Sequence, residues 1–126
     1  MENLANWVIK KGLDKVDVSM FDEKMRKEVM TEVGERFIRM EKRGEAIKAL
    51  ILASNVDRLI SYGKELMELC DFGNAFLALE PTANREQLVL LGTTCLGEGF
   101  YELAFGCFKA GGDHELARFV EDNYMK

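Results

Sequence analysis

Three stretches of this chain decide its fold: residues 33–60 (VGERFIRMEKRGEAIKALILASNVDRLI), residues 62–89 (YGKELMELCDFGNAFLALEPTANREQLV) and residues 91–118 (LGTTCLGEGFYELAFGCFKAGGDHELAR). They align without a gap at an offset of 29 residues. Gly34, Gly63 and Gly92 share one column, and Ala46, Ala75 and Ala104 another. Ile47, Phe76 and Phe105 are bulky together, Ala49, Ala78 and Cys107 small together, and Leu50, Leu79 and Phe108 large together. Asn55, Asn84 and Asp113 occupy a column suited to helix N-caps, because each side chain accepts a bond from a free backbone amide. Self-similarity at such a period marks a repeat architecture, in which each unit buries its apolar face against its neighbours.

Each unit reads as two helices. Asn84 starts one, and Gln87 three residues on completes a capping-box pattern. Leu88, Leu91, Gly92, Cys95 and Leu96 then recur at helical spacing as one apolar stripe. Phe100, Ala104, Cys107, Phe108 and Gly111 form the stripe of a shorter helix, and Gly111-Gly112 ends it through a left-handed cap. In the middle unit Val56, Leu59, Ile60, Gly63, Leu66, Met67 and Cys70 give the longer helix, and Phe72, Ala75, Phe76 and Leu79 the shorter one. Glycine inside a helix costs about 1 kcal/mol against alanine. Its recurrence predicts a close approach of two helix backbones, with the repeated alanines facing it.

The ends are less regular. Residues 4–10 read as a short helix with Trp7 and Val8, stopped by Gly12. Ser19 is the expected cap of a long helix over 21–41, along which Met25, Val29, Val33 and Phe37 are spaced four apart. Residues 115–124 form an amphipathic helix with Leu116, Phe119 and Val120. The expectation is an all-α fold of seven or eight helices and no sheet. Its arrangement is an α-α superhelix of about three 29-residue helix–turn–helix repeats with capping helices. One domain covers 1–126: N-terminal capping helices over 1–32, the repeats over 33–120, and a C-terminal capping helix over 113–126.

Composition bounds the function. With 48% apolar and 31% charged residues in 126, the chain is globular and long enough for a core. No apolar run reaches the eighteen or so residues of a membrane span. The start, Met1-Glu2-Asn3-Leu4, lacks the basic-then-apolar order of a signal peptide, so the reading is a soluble cytoplasmic protein. Residues 1–54 carry eleven Lys/Arg and ten Asp/Glu; residues 55–126 carry six and twelve. The acidic second part argues against nucleic acid, whose phosphates need Lys and Arg. The one basic patch, Arg36, Arg39, Lys42, Arg43 and Lys48, is interleaved with Glu35, Glu41 and Glu45 and reads as a solvated face of i,i+4 pairs.

The residues that could carry catalysis or hold a metal are few. Cys70, Cys95 and Cys107 form no CxxC pair and read as reduced core residues. The single histidine, His114, sits at a helix start between two acidic residues, so neither a nucleophile–histidine pair nor a metal set assembles around it. There is no phosphate-binding GxxxxGK[ST] loop, and Gly97-Glu98-Gly99 is an interhelix turn. Met20, Met25, Met30 and Met40 read as core fillers. No cofactor or catalytic residue is expected. An enzymatic or small-ligand site in an inter-helix cavity is the alternative to an interaction module.

The recurring Gly, Ala and large residue, as Gly34/Ala46/Leu50, Gly63/Ala75/Leu79 and Gly92/Ala104/Phe108, resembles the tetratricopeptide repeat. That family's period is about 34 residues, and the shortfall falls after the second helix. The shorter period is closer to the α-solenoid of coatomer and intraflagellar-transport subunits, which residues 103–113 (LAFGCFKAGGD) and 73–79 (GNAFLAL) also resemble. The resemblance spans 33–120 and implies a protein–protein interaction scaffold whose first helices line a groove. Carried through the register, the groove positions are Thr31, Glu35, Ile38 and Arg39; Ile60, Lys64, Met67 and Glu68; and Val89, Thr93, Leu96 and Gly97. The partner-binding set is Ile38, Arg39, Ile60, Lys64, Met67, Glu68, Val89 and Leu96, an apolar run with charged neighbours. Its expected occupant is a partner helix or peptide, a second copy in a homodimer, or the chain's own C-terminal helix through Phe119, Val120 and Tyr124.

Overall fold

The computed structural model describes residues 3–126, so the reading of Met1 and Glu2 lies outside it. Among the described residues there are eight α-helices and no strand. They are α1 (Leu4–Lys11), α2 (Glu23–Arg39), α3 (Arg43–Leu52), α4 (Val56–Glu68), α5 (Phe72–Leu79), α6 (Arg85–Gly97), α7 (Tyr101–Ala110) and α8 (His114–Tyr124). Short 3-10 turns lie at Leu13–Lys15, Val18–Met20 and Glu80–Thr82. The chain divides into two compact units, Met1–Leu59 and Ile60–Lys126.

In the first unit α2 packs against α3 and α1. Val29, Met30, Val33 and Phe37 of α2 meet a core that includes Ala46, Ile47, Ala49 and Leu50 of α3 and Ala5 and Val8 of α1. Gly12 stops α1 as expected, with φ +97° and its amide bonded to the Val8 carbonyl at 2.8 Å. The cap of α2 is Asp22, not Ser19: its carboxylate accepts the Met25 amide at 2.7 Å. Ser19 instead gives its amide and hydroxyl to Asp17 at 3.0 and 2.6 Å. Those bonds, the hydroxyl's first, hold the Asp17 carboxyl below its ordinary value. The start of α4 is tied to α2 within this unit. Arg58 donates twice to Glu35 at 2.6 and 3.0 Å, and the Asn55 amide nitrogen donates to the Thr31 hydroxyl at 3.0 Å.

In the second unit α6 packs on α7, α7 on α8, and α5 on both α6 and α7. Leu66, Ala75, Ala78, Leu79, Leu88, Leu91, Cys95, Ala104, Cys107, Phe108 and Val120 are buried there. Phe72 and Phe100 meet as tilted rings 5.9 Å apart.

Local geometry recurs at 29-residue steps along the chain. After α2, α4 and α6 the backbone turns at Glu41, Cys70 and Gly99, with φ of 59°, 58° and 84°. The next amide bonds back to a helical carbonyl each time: Lys42 to Phe37, Asp71 to Leu66 and Phe100 to Cys95, all at 2.9 Å. A left-handed residue followed by this longer bond closes a helix C-terminus by satisfying a carbonyl the helix leaves free. The turns ahead of α4, α6 and α8 use Ser54, Ala83 and Gly112 at φ 54°, 52° and 79°. The three expected caps all form: Asn55 to the Arg58 amide at 3.2 Å, Asn84 to Gln87 at 2.9 Å and Asp113 to Leu116 at 3.1 Å.

The glycine column also has one partner throughout. A Cβ added to Gly34 would lie 2.9 Å from Leu50 Cγ, on Gly63 2.6 Å from Leu79 Cγ, and on Gly92 2.7 Å from Phe108 Cε1. The large column, sixteen residues on, therefore seats into the glycine column. The expectation that the alanines meet the glycines is corrected in detail. They are fully buried one turn earlier, and the Ala46 carbonyl oxygen is the next neighbour, 3.4 Å from the Cβ position of Gly34.

Other expectations are revised by the turns. Cys70 is exposed, because it occupies the left-handed turn and not the α4 stripe. Phe100 precedes α7 and is exposed, as is Val56 at the first position of α4. Of the four methionines read as core fillers only Met30 is buried; Met20, Met25 and Met40 lie at helix ends or turns and are exposed. The capping box at α6 is half formed. Asn84 accepts the Gln87 amide, but its own amide goes to the Thr82 hydroxyl at 3.2 Å, which leaves Gln87 Oε1 buried without a partner.

Candidate interaction surface

The predicted partner-binding residues fall on three helices. Ile38 and Arg39 end α2 in the first unit. Ile60, Lys64, Met67 and Glu68 follow i, i+4, i+7, i+8 spacing on α4, so they share one face. Val89 and Leu96 share a face of α6. Ile38, Ile60, Met67, Val89 and Leu96 are each half-buried, whereas Arg39, Lys64 and Glu68 are exposed. Taken within each unit by itself, these are half-buried apolar side chains beside exposed charges, positions that gain by being covered.

The neighbouring polar groups are already engaged. Thr31 and Glu35 hold Asn55 and Arg58, as above. The Thr93 hydroxyl donates to the Val89 carbonyl at 2.8 Å, and Thr94 to Leu90 at 3.0 Å. Val89 also lines an open cleft of about 510 Å³ with Arg85, Glu86 and Asp113. There Arg85 donates to the Gly112 carbonyl at 3.3 Å and faces Asp113 at 3.8 Å. What this face leaves open is its apolar side chains and the exposed charges of Lys64 and Glu68.

The C-terminal helix does not supply its rings to such a face. α8 packs on α7 through buried Ala117 and Val120, while Phe119 and Tyr124 stay 47% and 45% exposed. Tyr124 stacks on Tyr101 with centroids 4.5 Å apart, and Phe119 meets Tyr124 edge-on at 6.1 Å. Sequence reasoning missed this aromatic group because its rings come from the start of α7 and the end of α8, and Tyr101 belongs to no apolar stripe. Trp7, on α1, lines a cleft of about 550 Å³ with Leu4, Val29, Glu28 and Glu32.

Cys95 and Cys107 are free thiols that meet across α6 and α7, both fully buried. The Cys95 thiol as a neighbouring hydrogen-bonding group, and then burial, push the Cys107 thiol far up from its ordinary value, so it stays protonated. Among the described residues no group of three or more His, Cys, Asp or Glu is placed to hold a metal ion. No helix among them is long and apolar enough to cross a membrane. No family model, curated protein or solved structure matches this chain.

Proposed function

We propose that the chain is a non-catalytic helical-repeat module that binds a protein partner. The pairs α2–α3, α4–α5 and α6–α7 are read as three successive 29-residue units of an α-α superhelix, with α8 as its C-terminal cap. The partner, a helix or peptide or a second copy of the chain, covers the apolar positions Ile38, Ile60, Met67, Val89 and Leu96. Arg39, Lys64 and Glu68 set its orientation. The observation that carries this reading is the single contact repeated in three helix pairs, a large side chain seated on a helical glycine, together with turns of one geometry between them. Units built alike present equivalent first-helix faces, and in helical-repeat proteins such faces form extended binding surfaces. The resemblance to tetratricopeptide and coatomer-type solenoids supports the same assignment. The free thiols fit a reducing, cytoplasmic setting.

Native mass spectrometry of the chain purified from its own cells, with sedimentation velocity over a concentration range, tests the reading. A stoichiometric protein complex or a concentration-dependent dimer is expected. A monomer at all concentrations carrying a bound small molecule would replace it with the inter-helix ligand site.

A further inference from the structure

Among the described residues, the Trp7 and Phe105 rings each already carry a lysine. The Lys11 ammonium lies 5.4 Å from the centre of Trp7, and the Lys109 ammonium 5.7 Å from Phe105. A third aromatic group has no cation in its lining. It is the open cleft of about 770 Å³ where α7 begins and α8 ends, walled by Phe100, Tyr101, Tyr124, Leu103 and Met125 with the Glu102 carboxylate. Phe100 is 51% exposed. The rings are held in place: Tyr101 and Tyr124 stack within 15° of parallel, and Phe119 braces Tyr124 from its edge. The nearest basic residue in sequence, Lys126, is turned to Asp122 at 3.2 Å.

The field at this cleft favours a cation. Residues 60–126 carry five Lys/Arg against eleven Asp/Glu. α6 ends at Gly97, two residues before Gly99 of the cleft, and α8 ends at Tyr124 within it. Helix C-termini carry partial negative charge, and the end of α8 at Tyr124 sets one against the N-terminus of α7, so the excess of carboxylates decides the sign. A ring face attracts a cation through its quadrupole, and a planar guanidinium both stacks on rings and pairs with a carboxylate in two-point geometry.

The geometry points to a docking site for an arginine side chain on a basic segment of a partner protein, its guanidinium against the Phe100 and Tyr124 rings and paired with Glu102. This goes beyond the interaction reading above, because the cleft shares no residue with the α4 and α6 faces. A loss of binding there leaves this site intact.

Amide spectra of the isotope-labelled full chain, titrated with a capped arginine–alanine peptide, test it. Saturable shifts are expected at residues 99–103 and 121–125. A matched peptide with citrulline, uncharged and of the same shape, is expected to bind about five- to tenfold more weakly. Glu102→Gln and Tyr124→Ala are expected to do the same. Both side chains are exposed, so the spectrum beyond the cleft and the Tyr101 and Phe119 neighbours of Tyr124 stays unchanged and reports an intact fold. Equal binding of the citrulline peptide would overturn the proposal, as would shifts spread over all acidic residues and indifferent to both variants. The absence of shifts at millimolar peptide would also overturn it. Shifts of the same amides on raising protein concentration alone would assign the cleft to a second copy instead.

Discussion

Gly92 shows what one missing methyl group does. Its Cβ position lies 2.7 Å from the Phe108 ring, closer than real Cβ contacts come, and 3.1 Å from Cys107 Cβ, a tight contact. Gly92→Ala therefore forces the ring out of its seat. Overpacking costs about 1–3 kcal/mol, against a helix-propensity gain of about 1 kcal/mol at most. Thermal melts should show a net loss, while Gly73→Ala, with open space at its Cβ position, should leave the midpoint unchanged or raise it. Equal effects at the two sites would mean that Phe108 is not seated on Gly92. The cysteines separate in the same way. Cys70 is exposed, whereas Cys95 and Cys107 are buried free thiols beside each other, with Cys107 held protonated. A thiolate reagent at neutral pH should label Cys70 first and the other two only as the fold opens. Equal rates at all three would contradict that burial. The glycine column was legible in the sequence because packing leaves a periodic mark. The exposure of Cys70 was not, since its left-handed turn is made without a glycine and is closed by the Asp71 amide on the Leu66 carbonyl.

At the level of the helix, each start and stop is decided by one or two side chains, and these divide into strong and weak signals. Asn55, Asn84 and Asp113 were visible because their column repeats. Asp22 displaced Ser19 because two acceptors compete within four residues, and Asp17 engages the serine. Asn84→Ala and Asp113→Ala should each cost about 1 kcal/mol, the usual value of an N-cap. Gln87→Met runs the other way. It removes a buried oxygen that has no partner, a group whose desolvation costs about 1–3 kcal/mol, and keeps the side chain's length. Denaturant midpoints should rise for Gln87→Met and fall for both cap variants; a fall in all three would place a partner on Gln87 Oε1. The buried alanines are a further check on the helix register. Ala75→Leu and Ala104→Leu overfill sites with no exposed surface, and each should lose about 1–3 kcal/mol. Unchanged melts for both would put the register of α5 and α7 in error.

For the whole molecule, the helical class followed from the apolar period, since the buried residues of α2, α4, α6 and α7 recur at helical spacing. The candidate surface was legible only in part. The register located Ile60, Met67, Val89 and Leu96, and each proves half-buried beside an exposed charge or an engaged threonine. The aromatic cleft was invisible, because folding brings together Tyr101 and Tyr124 from segments that share no repeat column. The central claim is that the α4 and α6 faces bind protein, and the double variant Met67→Glu, Leu96→Glu tests it most directly. Both positions are partly exposed, so the charges can reach water and the melt should move by no more than a few degrees. Sedimentation velocity and affinity capture should then show a folded monomer that has lost its dimer or its partner. A folded double variant with the mass and partner set of the parent chain would contradict the account.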